Sequence, residues 1–260
     1  MKIGVIGTGN MGGALMDAFQ KGGHAMRACN HGRAKLEAVC ARTGAEPVDS
    51  AAAAIQDAEL VLLAVKPIIM PSVLEEIRDN LRPDQILVSI AVGLTLDSYA
   101  QVLGADKKLV RAMPNTPAAV QAGMTAFTFG ENVTEAEQQR VLDLFSLAGG
   151  TAVLPERLMN AVSALTGSSP AYVYMFIEAM ADGGVFAGIP RDQAYQLAAQ
   201  AVLGSAKMVL ETGKHPGVLK DEVCSPGGTT IRAVAELEKA GMRSAVMEAI
   251  RVCVDAAGGK

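Results

Sequence analysis

Two short stretches of the chain place glycines and hydroxyl side chains at spacings that suit anions. The first is Gly7-Thr8-Gly9-Asn10-Met11-Gly12, which follows the apolar run Ile3–Ile6 and leads straight into residues of helical spacing. In a G-x-G-x-x-G turn between strand and helix, Gly7 permits the tight turn and Gly9 lets the backbone approach a pyrophosphate. Gly12 lets helix and strand pack closely. The free N–H groups of the helix then face the phosphates. The pattern alone is weak, but a strand before it and a helix after it make it a dinucleotide site, with Thr8, Asn10 and Met11 on the same turn. The second stretch is Ser225-Pro226-Gly227-Gly228-Thr229-Thr230, which passes at once into the apolar rhythm Ile231, Val234, Leu237. A plain surface turn needs neither two glycines nor two threonines at a helix mouth. Gly227 and Gly228 leave the first N–H groups uncovered, and an anion suits that place. The alternative is a Ser/Thr helix cap with no ligand.

The apolar run Ala25–Cys29 ends in Asn30-His31-Gly32-Arg33, with Lys35 beyond. A site for NAD places Asp or Glu there to hold the ribose 2′-hydroxyl. Here neutral and basic groups stand in its place, which favours a 2′-phosphate and NADPH, with NADH possible. Arg33 could equally cap its own helix, and His31 could be an ordinary loop residue. Three further segments end at the carboxyl edge, where open α/β sheets bind ligands. They are Ala64-Val65-Lys66-Pro67, Ala91-Val92-Gly93 and Met113-Pro114-Asn115-Thr116-Pro117. Ala64, Val65, Lys66, Pro67 and Ala91 join the cofactor set. Val92 and Asn115 are expected on the substrate side, although the two prolines around Asn115 also read as a stiff turn.

These residues need a scaffold, and the first half of the chain supplies one. Apolar runs of strand length at 3–6, 25–29, 60–65, 86–92 and 109–113 alternate with helical spacing over about 10–21, 33–42, 50–57, 70–79 and 95–103. Continuous apolar strands alternating with helices imply a parallel sheet covered on both faces. Right-handed crossovers make it a doubly wound, Rossmann-type α/β domain. Residues 123–130 and 150–155 are expected as late edge strands. Between them, Thr134 and Glu137 open a helix as a capping box. After Pro155 strand signals vanish and helical patterns follow over about 156–166, 169–187, 191–212, 228–240 and 242–257. The expected organisation is a nucleotide domain over 1–155 and an all-helical dimerisation and substrate domain over 156–260. The helix from Pro170 is apolar on nearly every face, through Tyr172, Val173, Tyr174, Met175, Phe176, Ile177 and Met180. In a small helical domain such a helix needs more neighbours than its own chain offers, so a homodimer through it is expected; the alternative is a central helix within a monomer.

Composition excludes several classes. The formal net charge is −4 and no Lys/Arg cluster is present, which argues against a nucleic-acid partner. Cys29, Cys40, Cys224 and Cys253 form no C-x-x-C pair and fit no zinc spacing, so free thiols in a reducing cytoplasm and no metal are expected. No run approaches the ~18 apolar residues of a membrane span. The N-terminal apolar run is too short and too broken by glycine for a signal peptide.

The chain resembles the pyrroline-5-carboxylate reductase family. "GTGNMGGAL", "AVKP", "MPNTP", "GSSPAY" and "HPGVLKDEVCSPGGTTIRAVAELE" match that family's blocks in order, from residue 7 to residue 238. One departure is Ser169, where the family more usually has glycine. The resemblance implies reduction of 1-pyrroline-5-carboxylate to L-proline with NAD(P)H, and an intertwined dimer that often assembles into rings of dimers. It also implies a substrate site including Glu222, Gly227, Gly228, Thr229 and Thr230, with Thr230 as the catalytic candidate. Two rivals are a β-hydroxyacid dehydrogenase of the 3-hydroxyisobutyrate type and a non-catalytic NADP(H) sensor. The first expects a lysine one turn into the long helix after the nucleotide domain. Here that helix opens Gly167-Ser168-Ser169-Pro170, and no lysine occurs before Lys207.

Overall fold

The structure is a computed structural model, and it describes residues 1–257 of the 260-residue chain. Met1–Gly167, with Ala257 at the end of the last helix, and Ser168–Ala256 form two compact units. In the first, the strands are β1 (Lys2–Ile6), β2 (Ala25–Cys29), β3 (Glu46–Pro47), β4 (Leu60–Leu63), β5 (Ile86–Ser89), β6 (Lys108–Met113), β7 (Gly123–Phe129) and β8 (Gly149–Val153). The helices are α1 (Asn10–Lys21), α2 (Arg33–Thr43), α3 (Ala51–Ile55), α4 (Met70–Arg78), α5 (Leu96–Leu103), α6 (Glu135–Ser146) and the short α7 (Met159–Val162).

One eight-stranded sheet runs in the order β3-β2-β1-β4-β5-β6-β7-β8. Strands β1 to β6 are parallel, and the chain reverses direction of travel across the sheet between β3 and β4. This is the doubly wound arrangement, and its crevice lies at the carboxyl ends of β1 and β4. Strands β4 and β5 are buried along their whole length because helices cover both faces. Neighbouring residues feed opposite cores: Val5, Leu62 and Val88 face α1 and α6, whereas Ile6, Leu63 and Leu87 face α4 and α5. On the first face Phe145 meets Phe19 and Phe127 edge-on, with ring centroids 5.3 and 5.1 Å apart.

The late strands differ from expectation. β7 is antiparallel to β6 and lies inside the sheet, so of these two late strands β8 alone is an edge, opposite β3. The link from β6 to β7 carries just a 3₁₀ turn at Thr116–Val120. A parallel return needs a crossover of about a dozen residues or more, usually a helix, so this link closes as an antiparallel pair. α6 then provides the crossover that makes β7 and β8 parallel. Its capping box forms, with the Thr134 hydroxyl accepting from the Glu137 N–H and Glu137 accepting from the Thr134 N–H.

The second unit contains α8 (Ser169–Phe186), α9 (Arg191–Thr212), α10 (Pro216–Val223), α11 (Thr229–Lys239) and α12 (Met242–Ala257). α10 was not expected from spacing. Pro216 presets its first turn, and the His215 ring caps it by accepting from the Gly217 N–H at 3.0 Å. Ser169 lies in ordinary helical backbone at the start of α8, so its departure from glycine brings no strain. Only small residues are buried between α8 and α9: Ala181, Ala194 and Ala198. Large apolar side chains remain outside, with Tyr174 60% and Met175 69% exposed on α8, and Leu210 84% exposed on α9.

Candidate functional site

Residues at the carboxyl ends of β1, β2 and β4 form an open pocket of about 440 Å³. Gly7 has φ 102°, and a Cβ there would lie 2.6 Å from the Ala64 carbonyl oxygen. A Cβ on Gly12 would lie 2.2 Å from the Gly7 carbonyl oxygen. Both contacts are with backbone, so neither residue can carry a side chain without moving the turn. Gly9 differs, because no atom lies within 4 Å of where its Cβ would be. Packing does not require glycine there; what a side chain would cover is the exposed face of the backbone at the start of α1. That helix has no side-chain cap and no acid in its first turn, so its N–H groups keep their partial positive charge.

Thr8 is 2% exposed, and its hydroxyl has no partner among the described residues. An orphaned buried hydroxyl beside uncapped N–H groups fits a phosphate oxygen. Asn30 clasps the neighbouring loop: its Oδ1 accepts from the Thr8 N–H at 3.2 Å and its Nδ2 donates to the Gly32 carbonyl at 3.1 Å. Gly7 N–H donates to the Cys29 carbonyl at 2.9 Å, tying the turn to β2. Burial pushes the Cys29 thiol up to about 12, so it stays protonated and is no nucleophile at neutral pH.

Of the expected cofactor residues, Gly7, Gly9, Asn30, Ala64, Val65 and Lys66 line this pocket. Asn10, Met11 and Gly12 form the first turn of α1. Pro67 opens a 3₁₀ turn, and Ala91 is buried just beyond β5, its N–H donating to Ser89 Oγ at 3.3 Å. Arg33 opens α2. Its guanidinium binds Glu37 at 2.8 Å and Asp49 at 2.7 Å, and these carboxylates hold its pKa above the usual arginine value. Asp49 lines the pocket and was not anticipated, because it follows β3 and not β2. Its sequence signal was the Asp-Ser pair before the alanine run, where Ser50 caps α3.

The expected substrate residues divide between the units. Val92 is exposed beyond β5. Asn115 is already engaged: its Oδ1 accepts from the Met124 N–H at 2.8 Å and its Nδ2 donates to the Thr166 carbonyl at 3.0 Å. It braces the β6–β7 link, as the stiff-turn alternative allowed. In the second unit Gly227 has φ 69°, and Gly228 heads α11 with no side-chain cap. A Cβ on Gly228 would lie 2.3 Å from Ser225 Oγ. Thr229 and Thr230 form the first turn of that helix, and no acid accompanies them. Glu222, near the end of α10, is exposed and paired with Lys214 at 2.6 Å. The α11 mouth is therefore an uncapped helix N-terminus opened by glycine, like those of α1 and α2. Among the described residues no helix is long and apolar enough to cross a membrane.

Comparisons with known proteins agree with one another. Residues 156–259 match the family model for pyrroline-5-carboxylate reductase dimerisation, and residues 2–93 match that for NADP oxidoreductase, coenzyme F420-dependent. The chain is 50% identical to the pyrroline-5-carboxylate reductase of Escherichia coli (strain K12), over 98% of this chain and 96% of the relative. Among solved structures, a pyrroline-5-carboxylate reductase from Coxiella burnetii superposes with a TM-score of 0.92 at 31% identity, covering 99% of this chain and 97% of that one. Plasmodium falciparum pyrroline carboxylate reductase with NADP bound gives 0.87 at 30% identity, with the same coverages.

Proposed function

The chain belongs to the pyrroline-5-carboxylate reductase family, and on that premise we propose that it reduces 1-pyrroline-5-carboxylate to L-proline, with NADPH preferred over NADH. The observation that carries the proposal is that each unit has an uncapped helix N-terminus opened by glycine, α1 in the first and α11 in the second. One suits the pyrophosphate of a dinucleotide and the other the carboxylate of a small imino acid. A steady-state assay with pyrroline-5-carboxylate and each cofactor tests it. Cofactor binding without turnover would leave only a sensor.

We assign cofactor binding to residues 1–155, and substrate binding and dimerisation to 156–260. A bound nicotinamide would supply the hydride for the C=N carbon, with one proton needed at the ring nitrogen. The protein binds, orients and helps to place that proton. N–H groups at the start of α11, with Gly227, Gly228 and Thr229, hold the carboxylate. Thr230 orients the ring nitrogen, since a hydroxyl can donate one hydrogen bond while accepting another. We assign Glu222 and Val92 to the substrate as well. Asn115 contributes by holding the β6–β7 link, and its two existing hydrogen bonds leave it little else to give. The exposed apolar side chains of the helical unit suit self-association as a homodimer and a ring of dimers, and we place the enzyme in the cytoplasm.

Two expected results follow from these assignments. Thr230→Ala should lower kcat by roughly ten- to a hundredfold, the scale of one hydrogen bond of about 1.5–3 kcal/mol to a charged group. Thr230→Ser should keep most activity, and the KM for NADPH should hold in both. Full activity in the alanine variant would reduce Thr230 to part of a helix end. Arg33→Ala should raise the KM for NADPH by roughly tenfold and that for NADH much less, because only NADPH carries the 2′-phosphate. In the absence of phosphate, Glu37 and Asp49 already share the guanidinium, and this competition limits the selectivity. Equal effects on the two cofactors would remove Arg33 from the 2′-phosphate.

A further inference from the structure

Arg111 lies within β6 with its side chain only 4% exposed, and it is one of two buried polar groups left short of partners among the described residues. Its Nη1 meets Glu156 Oε1 at 3.2 Å, but its Nε has no partner. The same Glu156 oxygen also accepts from the Leu96 N–H at 2.8 Å, so that atom is shared between a guanidinium and the first turn of α5. Arg111 lines an open pocket of about 460 Å³ together with Gly93, Thr95, Glu156, Arg157, Asn160 and Ala257, the last residue of α12. None of the residues on this wall belongs to the dinucleotide pocket. Arg157 is exposed and pairs with no carboxylate among the described residues. Two guanidinium groups and one carboxylate give the wall a net charge of +1.

A buried arginine nitrogen without an acceptor is costly unless something supplies one. Water can do so, but a second, unpaired arginine on the same wall makes a singly charged anion the better match. The planar fork of a guanidinium suits carboxylate geometry. Asn160 adds a neutral polar side chain to the same wall. We propose that this pocket is a binding site for a small monocarboxylate, separate from the α11 mouth. It joins the turn after β5, the start of α5, the segment entering α7 and the end of α12, so an occupant ties these four segments together.

The test is amide NMR of the full-length protein, titrated with sodium acetate against sodium chloride at constant ionic strength. Saturable shifts are expected at Gly93, Thr95 and Leu96. Arg157→Gln, at an exposed position where folding is not at risk, should weaken the apparent affinity at least fivefold. Thr230→Ala should leave it unchanged, which separates this pocket from the α11 mouth. Shifts confined to Gly228–Thr230, shifts at Gly93 and Thr95 that never saturate, or an affinity indifferent to Arg157→Gln would each overturn the proposal.

Discussion

Gly12→Val is expected to abolish NADPH binding while leaving the sheet assembled. A Cβ at residue 12 meets the Gly7 carbonyl oxygen at 2.2 Å and the Ala64 Cβ at 3.0 Å. Gly7 has nowhere to retreat, because its own Cβ position faces the Ala64 carbonyl oxygen at 2.6 Å. The clash must therefore move the start of α1 away from the ends of β1 and β4, and the N–H groups of that helix lose their aim. Loss of two hydrogen bonds to phosphate, at about 1.5–3 kcal/mol each, corresponds to more than about a hundredfold in affinity. Isothermal titration with NADPH reads the loss, and circular dichroism shows whether the fold persists. Gly9→Ala is the informative companion. Nothing in the protein lies within 4 Å of that methyl group, so thermal stability should change little. Affinity should nevertheless fall, because the methyl group stands where the pyrophosphate approaches the backbone. A Gly9→Ala protein that binds NADPH normally would show that the phosphates do not lie over this turn.

Phe176→Glu is expected to break self-association, giving monomer or aggregate. α8 is apolar around its circumference, and within one chain only its Ala181 face is well buried. Tyr174 and Met175 are mostly exposed in the single chain. Covering a fully exposed side chain of this size is worth about 1.5–3 kcal/mol, and several lie on this one helix. A glutamate in the middle of that surface would be buried without a partner, which costs several kcal/mol. Light scattering across a dilution series should show the dimer dissociation constant rising by about a thousandfold or more. An unaltered chain that runs as a stable, active monomer, or a variant that dimerises as before, would rule out α8 as the contact.

Local rules account for what the sequence alone determined. The alternation of apolar strand runs with helical spacing, the turn that needs Gly7 and Gly12, the Thr134–Glu137 capping box and the all-helical second half are each encoded within a few residues. Periodicity, allowed φ values and capping chemistry act at that range. The α11 mouth was legible for the same reason, since two glycines before two threonines leave a helix uncapped wherever it packs. Tertiary structure decided the rest. β7 turned antiparallel and internal because its link to β6 is too short for a crossover. α10 was hidden because a proline-led helix capped by a histidine ring lacks the usual Ser/Thr/Asp signal. Asp49 reached Arg33 only because β3 lies beside β2, and Asn115 found Met124 and Thr166 only once β6, β7 and the segment after α7 had converged. The partnership of Arg111 with Glu156 likewise spans residues far apart in the chain. Such pairings depend on which strands become neighbours, a consequence of burying both faces of one sheet that no local pattern records.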